Sequence, residues 1–231
     1  MPRTVLITGA AGNLGRAVAD SFARAGDSLV LFDRSADVLE RAFAGPGADR
    51  MLVAVDLLQA DDVEQAVGRA AAQFGRIDVL CNLAGGFTMG TPVHATGDAD
   101  WQRMQDLNVR TVLNMARTVV PLMVQRGRGK IVNVGASAAR RGAAQMGAYI
   151  ASKAEVLRLT ETMAAELREQ GINVNCVMPS IIDTPQNRAD MPDADPKRWV
   201  APEALAAVIA FLASDAADAV HGACIPVTGL S

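Results

Sequence analysis

The chain has 231 residues, half of them hydrophobic, with 20 glycines and a formal charge of −3 from 22 basic and 25 acidic side chains. That composition supports a core of ordinary size in a single α/β domain over residues 1–231, with no call for a second one. The slight acidity and the lack of a Lys/Arg-rich tract argue against nucleic acid or an anionic membrane as partner, and no apolar run approaches the roughly 20 residues of a membrane span.

The first apolar run, Val5-Leu6-Ile7, is short and ends in Thr-Gly, so it reads as a strand and not as a signal peptide, and a cytoplasmic protein is expected. It leads into Thr8-Gly9-Ala10-Ala11-Gly12-Asn13-Leu14-Gly15 and then the helical pattern Arg16 to Ala23. Strand, glycine turn and helix in that order let a backbone approach a pyrophosphate and set a helix amino terminus against it. An acid at the end of the second strand, about 20 residues on, can accept hydrogen bonds from an adenosine ribose. Asp33, closing Ser28-Leu29-Val30-Leu31-Phe32, holds that position.

Further strands are expected near residues 51–56, 77–82, 129–135, 172–178 and 224–228, joining those near 3–8 and 28–33, with helical patterns between them. Such alternation predicts a doubly wound, Rossmann-like parallel sheet of about seven strands, with ligands at the strands' carboxyl ends. Gly9, Asp33, Asp56, Asn82, Ala84, Gly85 and Ser137 all fall at or just past strand ends. Asp56 has a plainer reading as a turn or helix cap. Long helices are expected over Ala99–Arg126 and Tyr149–Gln170. Cys81, Cys176 and Cys224 are far apart and read as reduced core thiols, and two histidines, His94 and His221, without clustered cysteines or acids give no support for a metal site.

The only tyrosine, Tyr149, lies four residues before Lys153 in Gly147-Ala148-Tyr149-Ile150-Ala151-Ser152-Lys153. Residues four apart on a helix share a face, so an ammonium there is expected to lower the phenol's pKa and make it a proton donor or acceptor.

Together these motifs resemble the short-chain dehydrogenase/reductase family over essentially the whole chain. Thr8, Gly9 and Gly15 match its T-G-x-x-x-G-x-G turn, with Asn13, a residue tolerant of left-handed backbone, in place of the middle glycine and Leu14 between them. Asn82-Leu83-Ala84-Gly85 matches N-A-G, and Tyr149 with Lys153 matches Y-x-x-x-K. The resemblance implies an NAD(P)(H)-dependent oxidoreductase and a homodimer or homotetramer. It also implies that Asn108 supports a proton relay, that Lys153 holds the nicotinamide ribose, and that Asp56 and Leu57 contact adenine. Asp33 favours NAD(H), while Arg34 beside it keeps NADP(H) as the alternative.

Pro179-Ser180-Ile181-Ile182-Asp183-Thr184 resembles the family's P-G-x-I-x-T, where Pro179, Ile182 and Thr184 would hold the nicotinamide carboxamide and Ser180 replaces a glycine. The stretch from Asp183 to Asp195, with Ala84-Gly85-Gly86-Phe87, is similar to dihydropteridine reductases. The family's usual serine, thirteen residues before the tyrosine, is Ala136 here, and Ser137 follows it. Either a bulge lets Ser137 substitute, or the substrate needs less polarisation than a plain ketone. The expected activity is hydride transfer to or from a small carbonyl, alcohol or C=N substrate, with quinonoid dihydropterin reduction as the alternative and a redox-sensing regulator as the reading from another class.

Overall fold

The computed structural model describes residues 2–43 and 45–231. Seven parallel strands, β1 (Thr4–Thr8), β2 (Ser28–Asp33), β3 (Arg50–Ala54), β4 (Val79–Asn82), β5 (Gly129–Val134), β6 (Ile172–Pro179) and β7 (Cys224–Val227), form one sheet in the order β3-β2-β1-β4-β5-β6-β7. The expected strands are all present, with ends within two residues of those read from the pattern. Alternate side chains on each strand enter different cores. Val5, Ile7, Leu29 and Leu31 pack with Val18 and Phe22 of α1 (Asn13–Arg24) and with Leu205 and Ile209 of α8 (Pro202–Leu212). Leu6, Val30, Phe32 and Leu80 pack on the other face with Val63 and Val67 of α3 (Ala60–Phe74) and with Met115 and Val119 of α5 (Thr111–Arg126). Burial on both faces explains why these strands lack an apolar–polar alternation.

The order reverses between β1 and β4, whose in-register pairs run from Val5–Val79 to Thr8–Asn82. At such a switch point the connections leave in opposite directions and open a crevice at the carboxyl ends. Thr8 ties the crevice together, because its Oγ1 accepts hydrogen bonds from the N–H groups of Leu83 at 3.1 Å and Ala84 at 3.2 Å.

Two expectations need correction. The helix expected over 99–126 is α4 (Asp98–Gln105), a π-helical turn (Asp106–Arg110) and α5, and the wide turn is centred on Asn108. Asn13 is not left-handed; among the described residues Gln145 is the only non-glycine with positive φ, at 61°. The turn's left-handed residue is Gly9, at φ 63°, and Asn13 is the first residue of α1.

Among the described residues no helix is long and apolar enough to cross a membrane. The three cysteines are free, Cys224 being half-buried where Cys81 and Cys176 are fully buried. α6 spans Gly147–Leu167 and a short α7 spans Pro185–Asp190.

Candidate active site

The glycine turn is dictated by contact distances. A Cβ on Gly15 would lie 2.3 Å from the Gly9 carbonyl oxygen, and one on Gly9 would meet Ala84 backbone at 3.0 Å. Such backbone contacts leave no room for a side chain, so glycine is required at both positions. Gly12 caps α1 with no side-chain acceptor, and the first turn holds no acid. The first N–H groups of α1, including those of Asn13 and Leu14, therefore face the crevice without an intrahelical partner, as an anion-binding site requires. The Asn13 side chain is turned to the surface, where its Oδ1 accepts from Arg16 at 2.9 Å.

Asp33 sits at the end of β2 as expected, but it has a structural task the sequence did not reveal. Its Oδ2 accepts the Ala11 N–H at 3.0 Å and its Oδ1 the Arg34 N–H at 2.8 Å, so the carboxylate braces the glycine turn while facing the crevice. The Arg34 side chain lines a hollow of about 240 Å3 together with Asp56, Asp62 and Arg69. Asp56 makes a turn, its Oδ1 accepting the Leu58 N–H at 3.1 Å. The carbonyl of buried Leu57 accepts from Asn114 at 2.9 Å, which fixes this loop to α5.

On the far side of the switch point Asn82 donates to Asn133 Oδ1 at 2.8 Å, and Asn133 donates to Thr160 Oγ1 at 2.9 Å. This ladder crosses β4, β5 and α6. Asn82 Oδ1 is the one buried side-chain polar atom of the described residues without a hydrogen-bond partner. A ligand hydroxyl or a water at this edge would satisfy it.

Asn108 and Lys153 converge on Gly85, where a Cβ would lie 2.8 Å from Asn108 Oδ1 and 3.2 Å from Lys153 Nζ. The π-turn aims Asn108 inward: its Oδ1 accepts the Gly86 N–H at 2.9 Å, and its Nδ2 donates to Gly86 O at 3.1 Å and Ser152 Oγ at 3.0 Å. Ser152, fully buried, in turn donates to the Tyr149 carbonyl at 2.8 Å. Lys153 Nζ donates to Val134 O at 2.9 Å. Ser152 was missed in the sequence, although its place between Tyr149 and Lys153 was the available signal.

Burial pushes Tyr149 up to about 12 and Lys153 down to about 8. The expected lowering of the tyrosine by the lysine is therefore corrected. Desolvation governs the phenol here, and the Lys153 ammonium is directed at Val134 O.

Ser137 opens a 3-10 turn (Ser137–Arg140) beyond β5, with no strand bulge, and its Oγ donates to Met178 O at 2.8 Å. Ala136 is buried beside it. At the end of β6, Pro179 is followed by Ser180, whose Oγ donates to Thr228 O at 2.9 Å and whose backbone is not left-handed. Thr184 caps α7, its Oγ1 accepting the Asn187 N–H at 3.1 Å, and Asn187 Nδ2 donates to Ile182 O at 2.8 Å. The capping hydroxyl keeps its proton free to donate. A cavity of about 730 Å3 lies elsewhere, between α6 and β7, and is lined by Leu157, Met178 and Pro226 but not by Asn108, Tyr149 or Lys153.

Comparison with known proteins agrees with this geometry. The family described as "short chain dehydrogenase" matches residues 3–195. The chain is 36% identical over 237 residues to the cis-4-hydroxycyclohexanecarboxylate dehydrogenase of Sinomonas cyclohexanicum, covering 98% of this chain and 95% of that protein. Among solved structures, NAD+-bound xylitol dehydrogenase superposes with a TM-score of 0.90 at 27% identity, covering 98% of each chain. A 3-ketoacyl-(acyl-carrier-protein) reductase from Brucella melitensis complexed with NADH gives 0.88 at 30% identity, covering 98% of this chain and 97% of that one.

Proposed function

This chain belongs to the short chain dehydrogenase family, and we propose that it is a nicotinamide-dependent oxidoreductase in which Tyr149 exchanges a proton with a small carbonyl, alcohol or C=N substrate. The observation that carries the reading is the convergence of Asn108 and Lys153 on Gly85, with Ser152 linking Asn108 to the Tyr149 carbonyl, at the same sheet edge as the glycine turn. The cradle fits a dinucleotide: Gly9 and Gly15 leave no room for a Cβ, the start of α1 is uncapped, and Asn82 Oδ1 is an orphaned acceptor.

A bound nicotinamide supplies or accepts the hydride. The chain's residues do the rest. Gly9 to Gly15 and the first turn of α1 bind the pyrophosphate, and Asp33 takes the ribose hydroxyls and repels a 2′-phosphate, which favours NAD(H) over NADP(H). The preference rests on Asp33, because the hollow beside Arg34 is lined by two acids, Asp56 and Asp62, and two arginines, Arg34 and Arg69, which balance one another. Asp56 and Leu57 would border the adenine, while Ala84, Pro179, Ile182 and Thr184 would hold the nicotinamide. Tyr149 gives its phenolic proton to the substrate oxygen or nitrogen. Lys153 would hold the ribose and offers a positive charge that steadies the phenolate as it forms, and Asn108 supports the relay. Ser137 contributes only to the turn, because its proton is committed to Met178 O. The whole chain acts as one catalytic domain and assembles as a homodimer or homotetramer.

Ala136 at the usual serine position is compatible with a second reading, reduction of a quinonoid dihydropterin, whose conjugated ring needs less polarisation at the reacting centre. Relatives named as dehydrogenases and reductases of other substrates do not favour it. The redox-sensor alternative is not favoured, since the relatives are dehydrogenases and reductases. A panel of ketones, imines and quinonoid pterins with NADH and NADPH tests both readings. Turnover of ketones or imines with NADH is the expected result, turnover of the pterin alone would select the second reading, and no turnover in either direction would remove the enzyme assignment.

A further inference from the structure

Tyr149 is approached past two walls that carry no fixed charge. No Asp, Glu, Lys or Arg occurs from Leu83 to Gly97 or from Gly142 to Ser152. The first wall instead exposes three large apolar side chains within seven positions, Phe87 at 55%, Met89 at 58% and Val93 at 69%. Exposed apolar groups this close together are costly unless something covers them.

The walls are strapped to each other. Gly90 N–H donates to Gln145 O at 2.9 Å, Thr91 bridges Met146, and the Val93 side chain fills the space beside Gly147. Gln145 adopts its positive φ to make this strap, a strain of about 1–2 kcal/mol that surrounding contacts must offset. The strap holds Phe87 with its ring centroid 4.8 Å from that of Tyr149 and the planes 80° apart. One ring edge therefore meets the other's face, and more than half of Phe87 remains open. Behind the strap only about 20 Å3 is left, with Asp100 the one charged group lining it. On the opposite side, beyond Thr184, Arg188 is bound to both oxygens of Asp183, at 2.6 and 2.8 Å.

We infer that the site takes a neutral, apolar, ring-bearing carbonyl compound or its alcohol, packed on Phe87, and discriminates against carboxylates and phosphates. This rests on Tyr149 being the proton donor and deepens that reading. A ring laid on Phe87 and Met89 loses its apolar hydration there, whereas an anionic substituent beside it would give up water against apolar groups with no Lys or Arg between Leu83 and Gly97 or between Gly142 and Ser152 to pair with it. Phe87 thus acts on substrate affinity and not on the proton step.

The test pairs two cyclohexanones with NADH, one carrying a methyl group and the other a carboxylate on the ring carbon farthest from the ketone. The methyl compound should have the higher kcat/KM by about 100-fold. Phe87→Ala should raise its KM about tenfold with kcat within about threefold, and Met89→Arg should shift the ratio about tenfold toward the carboxylate. Binding of the methyl compound to the protein without cofactor, followed by saturation-transfer NMR, should weaken in Phe87→Ala in step with KM. Equal use of both ketones, or an unchanged KM in Phe87→Ala, would overturn the inference and leave the oxidoreductase reading standing. Failure of the whole substrate panel would overturn both.

Discussion

The chemistry of Tyr149 is observable without interference, because it is the only tyrosine in the chain. Its tyrosinate absorbance should titrate near 12, where burial pushes the phenol. Tyr149→Phe should lower kcat by about 100-fold or more while the Kd for NADH changes little, since the proton donor is lost and the glycine turn is not. Lys153 is pushed down to about 8 by burial, so its ammonium is lost from the free enzyme as pH rises through that value. In the reductive direction kcat/KM should accordingly fall above about pH 8, and a profile flat to pH 10 would remove Lys153's charge from the mechanism. The effect on stability has the opposite sense. A lysine whose folded pKa is below 10.5 destabilises the fold where it is charged, and this cost is relieved between about pH 8 and 10.5 as the folded protein releases its proton first. Lys153→Met should therefore be inactive yet no less stable at pH 7, and should lack the rise in stability over that range. Ser137→Ala should leave kcat within about threefold, because the Oγ proton lies on Met178 O; a loss of about 100-fold would place that hydroxyl on the substrate oxygen.

At the scale of elements, the π-turn between α4 and α5 is the feature on which the proposed relay depends. The extra residue in that turn rotates Asn108 inward, where it grips both the N–H and C=O of Gly86 and reaches Ser152. Asn108→Ala leaves the partly buried Gly86 groups and the fully buried Ser152 without their partner. It should cost about 1–3 kcal/mol of stability, measured by denaturant unfolding, and reduce kcat more than it raises the KM for NADH. Ser152→Ala should show a weaker form of the same pattern, since it removes one of the three contacts. Equal losses in kcat and cofactor affinity would instead indicate general loosening of the crevice. The strap from Gly90 to Gln145 is a second such element, and it positions a wall against Tyr149 without touching the α1 turn.

The whole molecule separates a functional edge from a stabilising one. At the amino ends of the strands, Asp78 is buried and held by Arg76, by Arg126 at 3.0 Å and by the Thr4 N–H at 2.8 Å, while Lys130 bonds Asn173 and Asp218. Burial pushes Asp78 up, but the arginines and the Thr4 N–H together take it below the usual carboxylate range. A carboxylate with a depressed folded pKa contributes stability above its unfolded pKa and loses it as pH falls through the folded value. Asp78→Asn should thus lower stability at pH 7 by about 1–3 kcal/mol and flatten the acid limb below about pH 4, leaving kcat/KM with NADH unchanged. The exposed Trp101 on α4, Val124 on α5 and Phe211 on α8 mark faces suited to the proposed homo-oligomer. Sedimentation should report a dimer or tetramer, and a monomer at working concentration would exclude that assembly.

Much was legible before any coordinates. Strand boundaries came through because parallel strands buried on both faces are short unbroken apolar runs, and the glycine turn, Asp33 and the Tyr149–Lys153 pair announced themselves because their spacings are local. Contacts between distant segments were not legible. Asp33 bracing Ala11, Asn82 paired to Asn133, Ser137 bound to Met178 and Phe87 standing on Tyr149 each join residues 22 to 62 positions apart. The pKa values depended on the same thing, for a lysine four residues from a tyrosine predicts mutual attraction, whereas packing depth decides whether desolvation exceeds it. The sequence by itself determined the fold, the family and the candidate side chains for the proposed chemistry. Tertiary structure decided which of their protons and lone pairs are already engaged, because hydrogen-bond partners and burial are set by how the elements pack and not by their order along the chain.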